Sequence, residues 1–113
     1  MSDTAAEPGT GEPIHVEGRE HLQRLIDGSE LVLVDFHADW CGPCKMLEPT
    51  VESIAAGTDA AVAKVDIDDH QGIAREFGVQ GVPALYLFAG GEASQRWVGV
   101  QDEGTLVGAI EAV

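Results

Sequence analysis

The sequence predicts one α/β domain built on a mixed β-sheet, and three observations support this. The 113 residues suit a single domain with one core. In the first half, strand-like apolar runs alternate with helical spacing, which is typical of parallel strands joined by helices. In the second half, two strand-like runs flank AGGE at 89–92, which indicates an antiparallel hairpin. No internal repeat or linker divides the chain.

The predicted elements follow the order β-α-β-α-β-α-β-β-α. Residues 1–12 are acidic and rich in Gly and Pro, so we expect a disordered tail before a domain over 13–113. A short strand at 13–16 precedes a helix that Gly28 ends. The run ELVLVDFHA at 30–38 is almost continuously apolar and β-rich, as expected for a central strand covered on both faces.

The remaining elements are predicted in the same way. A helix over 41–57 has apolar residues at helical spacing, and Pro49 inside it predicts a kink. A strand over 60–68 is followed by a short helix that ends at Gly78. After the hairpin, the last helix begins at Asp102, because aspartate is a preferred N-cap residue.

The composition of the chain is strongly acidic. Twenty Asp and Glu residues stand against six Lys and Arg, for a formal net charge of −14, and only two residues are lysines. Such a surface repels nucleic acid and anionic lipid, so neither is an expected partner. In dilute buffer these charges repel one another, whereas at about 1 M salt the Debye length is about 3 Å. We interpret the composition as halophilic adaptation, with an ordinary acidic protein as the alternative.

The cellular location is predicted from two further features. No apolar run approaches the roughly 20 residues that a membrane-spanning helix needs. The opening segment MSDTAAEPGTGEP has neither the basic region nor the apolar region of a secretory signal. We therefore expect a cytoplasmic protein, in which a close cysteine pair is more often redox-active or metal-binding than a structural disulfide.

Both cysteines of the chain, Cys41 and Cys44, lie where a strand gives way to a helix. A helix N-terminus favours the thiolate, so the pKa of Cys41 should fall below the free value of about 8.5. Cys44 lies one turn further along and should be the more buried. The i, i+3 spacing brings both sulfurs within disulfide reach. A zinc site usually needs a second such pair, and a disulfide across so short a loop stabilises little, so a redox role is favoured.

Two polar residues, Asp35 and His37, interrupt the strand before the cysteines. Side chains alternate along a strand, so both point to the same face with Cα atoms about 6.7 Å apart. A buried carboxylate is costly unless it has a partner or a function. Burial raises its pKa, which makes Asp35 a candidate general base near neutral pH. The alternative is a carboxylate satisfied by hydrogen bonds.

The segment VDFHADWCGPCK resembles the active-site segment of the thioredoxin family. AKVDID, GVQGVPALYLFAGGE and VGV resemble its middle strand, its proline loop with hairpin, and its last strand. The resemblance covers about residues 14–113. It implies a thioredoxin fold, with a central five-stranded sheet of strand order 1-3-2-4-5 flanked by four helices. It also implies a monomeric protein-disulfide reductase that maintains redox homeostasis by dithiol–disulfide exchange. No cofactor or metal is implied; the partners would be disulfide-containing proteins and a thioredoxin reductase.

The resemblance also implies roles for individual residues. Cys41 would attack the target disulfide and Cys44 would resolve the mixed disulfide. Asp35 would handle the proton of Cys44, with Lys64 as its partner. Pro83 would be a cis-proline opposite the cysteines, and its loop would pair with an extended substrate segment. The apolar docking surface would comprise Trp40, Gly42, Pro43, Gly81, Val82 and Gly99.

Several of these positions have simpler interpretations. Lys64 can be an ordinary strand-edge residue, Trp40 can pack in the core, and Pro83 can merely begin a strand. Two positions depart from the family: Ala84 stands where Thr is common, and His37 replaces a large aromatic residue. A charged His37 would lower the pKa of Asp35 and of a nearby thiol, which makes it a candidate tuning residue. The alternative is a neutral His37 that fills the aromatic's space.

Two other functions are considered. Disulfide oxidases and isomerases of this family typically carry a His between the cysteines, where this chain has Gly42 and Pro43. A non-catalytic partner subunit would use only the docking surface, and it would keep its function after both cysteines were replaced by Ser. The favoured interpretation remains the reductase.

Overall fold

A computed structural model describes residues 11–113, so almost all of the predicted tail over 1–12 lies outside the described residues. Within that range the elements follow the predicted order. They are β1 (Ile14–His15), α1 (Arg19–Gly28), β2 (Leu31–His37), α2 (Gly42–Gly57), β3 (Ala61–Asp66), α3 (Gln71–Glu76), β4 (Ala84–Ala89), β5 (Glu92–Val98) and α4 (Glu103–Glu111). None of the helices in this part of the chain has the length and apolar character needed to cross a membrane.

The strands form one five-stranded mixed sheet in the order β1-β3-β2-β4-β5. Strand β3 pairs in parallel with β1 and with β2, while β4 pairs antiparallel with β2 and with β5. This confirms parallel crossovers in the first half and a hairpin in the second. Strand β2 is therefore central, and its residue Asp35 lies between Lys64 on β3 and Leu85 on β4.

The sheet has an apolar core on each face, because the buried residues of β2 alternate between them. Val32, Val34 and Phe36 belong to one core together with residues of α1 and α3. Leu33 belongs to the other core, with residues of α2 and α4. By the same alternation Asp35 and His37 point to the α2 side of the sheet. The prediction of a central strand covered on both faces is confirmed.

The helices confirm some of the features predicted from local sequence and differ in others. Gly78 follows α3 with φ of 70°, a backbone conformation that glycine adopts without strain. Asp102 is the N-cap residue of α4, but its side chain makes no capping hydrogen bond. The helix α2 continues through Pro49 to Gly57, and the kink at Pro49 stays a prediction. Met46 has the helical spacing of the apolar residues in α2 yet is exposed, so the buried stripe is narrower than the sequence suggests.

Candidate active site

The two cysteines lie at the start of α2, where β2 has just ended. Cys41 is the N-cap residue, Gly42 begins the helix, and Pro43 occupies the first turn, where its missing N–H is not needed. Cys41 and Cys44 form a disulfide with their Cα atoms 5.2 Å apart. The backbone N–H of Cys44 donates to Sγ of Cys41 over 3.1 Å. The predicted disulfide reach is confirmed.

The burial of the two sulfur residues differs from the prediction. Cys41 is 3% exposed and Cys44 is 4% exposed, so in the disulfide form Cys44 is not the more buried of the two. The cause is the loop before β4, because the carbonyl oxygen of Val82 lies 3.7 Å from Sγ of Cys41 and covers it.

The proline loop and the start of α2 face each other across the cysteines. The Val82–Pro83 peptide bond is cis, as predicted. Val82 packs on a small cluster that contains Cys41 and Cys44. Gly99 has φ of 92°, and its N–H donates to the carbonyl of Pro83 over 2.8 Å. This hydrogen bond connects Gly99 to the same loop. Gly81 is exposed beside Val82, as are Gly42 and Pro43 on the opposite side of the sulfurs.

Trp40 is an exposed residue and does not pack in the core. Its exposed fraction is 68%, and its indole Nε1–H donates to Oδ2 of Asp68 over 2.9 Å. The alternative of core packing is therefore wrong. The sequence analysis did not identify Asp68 as its partner, although the acidic run DIDD at 66–69, which begins at the last residue of β3, is the available signal.

Asp35 is a buried carboxylate in the middle of β2. It is 2% exposed, and among the described residues its Oδ1 has no hydrogen-bond partner. Burial raises the pKa of Asp35 from its ordinary value of 3.8 to about 6, the positive charge of Lys64 lowers it, and the charge of Glu48 raises it. The alternative, in which hydrogen bonds satisfy the carboxylate, is therefore wrong for Oδ1 of Asp35. A carboxyl with this pKa can exchange a proton near neutral pH.

Lys64 is also buried, with an exposed fraction of 8%, so it is not an ordinary surface residue of a strand edge. It stands beside Asp35 in the parallel register of β2 and β3. Its Nζ nevertheless lies 3.8 Å from Oε2 of Glu48 on α2, and in the described part of the chain this is the ion pair that Lys64 makes. The sequence analysis missed Glu48, although it follows Cys44 by one helical turn and so shares its face of α2.

His37 ends β2 and is partly buried. Burial lowers its pKa and the nearby Lys64 lowers it further, while Asp66 and Asp39 raise it. The imidazole is therefore neutral at neutral pH, which agrees with the alternative of a neutral His37. Its Nε2 is buried and unpaired within residues 11–113. The pKa of Asp35 is set by burial, Lys64 and Glu48, and the role of His37 as a tuning residue stays a prediction.

One group of side chains next to the cysteines has the composition of a metal site. His37, Asp39 and Asp66 each offer one donor atom, and these atoms lie within 4.8 Å of one another. However, Oδ1 of Asp66 already accepts the N–H groups of Asp68 and Asp69 at 2.8 and 3.3 Å, and Asp39 is exposed. The group is therefore not an enclosed ligand set, and we assign no metal to it.

The fold and the site together define a class of protein, the dithiol–disulfide oxidoreductases with a thioredoxin fold. A Cys-x-x-Cys pair at a helix N-terminus faces a cis-proline, and a buried carboxyl lies on the adjoining strand. The family model described as Thioredoxin matches residues 12–112, and the chain belongs to the thioredoxin family. Its activity is dithiol–disulfide exchange, for which the pair Cys41 and Cys44 is suited.

Known proteins support this assignment. A thioredoxin of Chlamydia caviae is 47% identical over 95 residues, covering 83% of this chain and 92% of the relative. The solved structure of a mutant thioredoxin from Halobacterium salinarum NRC-1 superposes with a TM-score of 0.88 and 51% identity, covering 96% of this chain and 94% of that one. A bifunctional thioredoxin reductase/thioredoxin of Mycobacterium leprae is 39% identical over 99 residues, covering 86% of this chain but 22% of the relative.

Proposed function

We propose that this chain reduces disulfides in other proteins, with Cys41 as the attacking thiol and Cys44 as the resolving thiol. The observation that carries the assignment is the position of Cys41 at the N-cap of α2, where the N–H of Cys44 points at its sulfur. Donors at a helix N-terminus favour a thiolate. Cys44 lies inside the helix and lacks that position.

The reaction proceeds in two exchanges. The Cys41 thiolate attacks one sulfur of the target disulfide, the target S–S bond breaks, and the other target sulfur leaves as a thiolate that takes up a proton. The Cys44 thiol then gives its proton to Asp35 and attacks Sγ of Cys41. The mixed disulfide breaks and the second target thiolate leaves. The target gains two electrons, and the chain ends with the Cys41–Cys44 disulfide that the structure contains.

Asp35 suits the role of proton acceptor for Cys44 because its pKa is raised to about 6. At pH 7 a carboxyl with that pKa is mostly ionised, so it can accept a proton, and it is a stronger base than an exposed aspartate. Lys64 assists by limiting how far burial raises that pKa. The fixed position of Asp35 on the central strand β2 keeps the acceptor in one place through both exchanges.

The substrate would dock on the surface around the sulfurs. Exposed Trp40, Gly42 and Pro43 line one side, and the loop of Gly81, Val82 and Pro83 with Gly99 lines the other. An extended target segment would pair with the backbone of Val82, which already lies next to Sγ of Cys41. On this proposal a target disulfide would lie next to Cys41.

A thioredoxin reductase would return the disulfide to the dithiol. One relative carries both activities in its name, a bifunctional thioredoxin reductase/thioredoxin. The cytoplasmic location, the monomeric state, the domain boundary at residue 13 and the absence of nucleic-acid and membrane partners stay predictions of the sequence.

The direct test is the reduction of insulin disulfides by dithiothreitol with catalytic amounts of this chain. The wild type should accelerate the reaction, while Cys41→Ser and Cys44→Ser should each reduce the catalysed rate to the background. No acceleration by the wild type would contradict the reductase and favour the non-catalytic partner subunit, whose function should survive replacement of both cysteines by Ser. A reduction potential near about −270 mV, the value established for other thioredoxins, supports the reductase, and a value near about −120 mV supports an oxidase.

A further inference from the structure

We propose that Glu48 is a positioning residue that controls the basicity of Asp35 by holding the Lys64 ammonium, so that two carboxylates share one counterion. This inference rests on the proposed function of Asp35 as proton acceptor. Glu48 touches neither the substrate nor the sulfurs in this assignment and acts through Lys64.

The geometry shows which carboxylate Lys64 pairs with. Asp35 and Lys64 are neighbours across β2 and β3, whose backbones are about 4.8 Å apart. The Nζ of Lys64 is 3.8 Å from Oε2 of Glu48. Oδ1 of Asp35, in contrast, has no partner in the described range, and no ion pair joins it to Lys64 there. Of the two carboxylates near Lys64, Glu48 therefore has the ion pair, and buried Asp35 has fewer polar contacts.

The environments of the two carboxylates explain this choice. Glu48 is half-exposed on α2 and keeps part of its hydration when it pairs with Lys64. Asp35 is buried, with 2% of its surface exposed, and an ionised pair placed there would lose the hydration of both groups. Lys64 lies toward α2, and its positive charge lowers the pKa of Asp35 by less than burial raises it. The negative charge of Glu48 raises that pKa further.

Among residues 11–113, Lys64 and Glu48 are the charged groups that shift the pKa of Asp35. On β4 the opposite residue is Leu85, which is uncharged. On its own strand His37 is neutral at neutral pH, because burial and Lys64 lower its pKa. From α2 come Glu48 and the Cys41–Cys44 disulfide, which carries no charge. The protonation of Asp35 therefore depends on Lys64 from β3 and Glu48 from α2.

The consequence concerns the second exchange, in which Asp35 takes the proton of Cys44. Replacing Glu48 by a neutral residue removes one negative charge and frees Lys64 to approach Asp35. Both changes favour the ionised carboxylate, so the pKa of Asp35 falls and the acceptor becomes a weaker base. The acidic limb of the pH–rate profile should move to lower pH, and the rate on the plateau should fall.

The test compares Glu48→Gln with Glu52→Gln, which removes the same charge from an exposed position one turn further along α2. The pKa of Asp35 is measured by carboxyl ¹³C NMR in the oxidised protein, at one fixed salt concentration. We expect it to fall by roughly half a unit or more in Glu48→Gln and to stay within about 0.2 unit in Glu52→Gln. Equal pKa shifts in the two variants would show that only the net charge of the chain matters, and this would overturn the proposal. The absence of a shift in both variants would also overturn it.

A double-mutant cycle with Lys64→Gln tests whether Glu48 acts through the lysine. In the Lys64→Gln background, Glu48→Gln should shift the pKa of Asp35 by less than half as much as in the wild type. An undiminished shift would show a direct charge effect and would overturn the role of Lys64 as shared counterion. A pH–rate profile unaffected by Asp35→Asn would contradict Asp35 as proton acceptor, while the NMR titration would still decide the relation between Glu48 and Asp35.

Discussion

The backbone N–H of Cys44 donates a hydrogen bond to Sγ of Cys41 over 3.1 Å. The contact distinguishes the two cysteines. Cys44 lies inside the helix and donates through its backbone, whereas Cys41 is the N-cap residue and accepts through its sulfur. In the proposed reduced state the same donor would face a thiolate on Cys41. The proposed roles of attacker for Cys41 and resolver for Cys44 rest on this relationship.

The first prediction concerns the acidity of the thiols. In the reduced protein the pKa of Cys41 should lie clearly below the free-thiol value of about 8.5. It can be measured from the pH dependence of alkylation by iodoacetamide, with Cys44→Ser as the variant in which Cys41 is the single thiol. Titration of Cys41 at or above the free value would remove the basis for its role as nucleophile.

The second prediction concerns stability. Because the pKa of Asp35 is about 6 when folded and 3.8 ordinarily, the folded state binds more protons between these values, and stability from this group falls as pH rises from about 4 to 6. At pH 7 the full penalty is on the order of 3 kcal/mol. Asp35→Asn should therefore stabilise the chain at pH 7 by up to that amount and have little effect at pH 4.

The measurement is urea unfolding of Asp35→Asn and the wild type at both pH values, with the exposed Asp59→Asn as the matched charge control. The control should show no such pH-dependent gain. A variant that is no more stable than the wild type at pH 7 would mean that ionised Asp35 is well solvated or well paired in the folded state.

Much of this fold could be predicted because local signals agree with one another. Apolar, β-rich runs predicted the strands, and Gly78 follows α3 where the sequence predicted its end. The burial of individual side chains was harder to predict, because it depends on tertiary packing. Met46 has the spacing of a buried residue, but it lies on the exposed side of α2.

The site shows the same division. The cysteines, the buried Asp35 and the cis-proline lie in recognisable motifs. The contacts of Trp40 with Asp68 and of Lys64 with Glu48 join residues on different elements, so only the register of the sheet and the placement of α2 bring them together. The near-equal burial of Cys41 and Cys44 likewise depends on the loop of Val82, whose position no local pattern specifies.

The third prediction concerns His37. Since this imidazole is neutral at neutral pH, replacing it should not change the local charge. His37→Trp, which restores the aromatic residue usual in the family, should leave the Cys41 titration within about 0.3 unit of the wild type. A larger shift in the same alkylation assay would support the hypothesis that His37 tunes the thiols.

The fourth prediction concerns salt. With 20 acidic and six basic residues, the folded chain repels itself in dilute buffer. Raising KCl from about 0.1 M to about 1 M shortens the Debye length from about 10 to about 3 Å, so the melting temperature should rise. Thermal unfolding over a KCl series measures this, with sodium sulfate excluded because it also strengthens apolar burial. A flat response would contradict halophilic adaptation.

The most direct measurement of the central claim is the trapping of the mixed disulfide. Reduced Cys44→Ser, mixed with a disulfide-containing protein such as insulin, should form a covalent adduct that mass spectrometry of the peptides locates at Cys41 and that dithiothreitol releases. Reduced Cys41→Ser should form far less. An adduct that forms equally well through Cys44, or the absence of any adduct in Cys44→Ser, would contradict the assignment of Cys41 as the nucleophile.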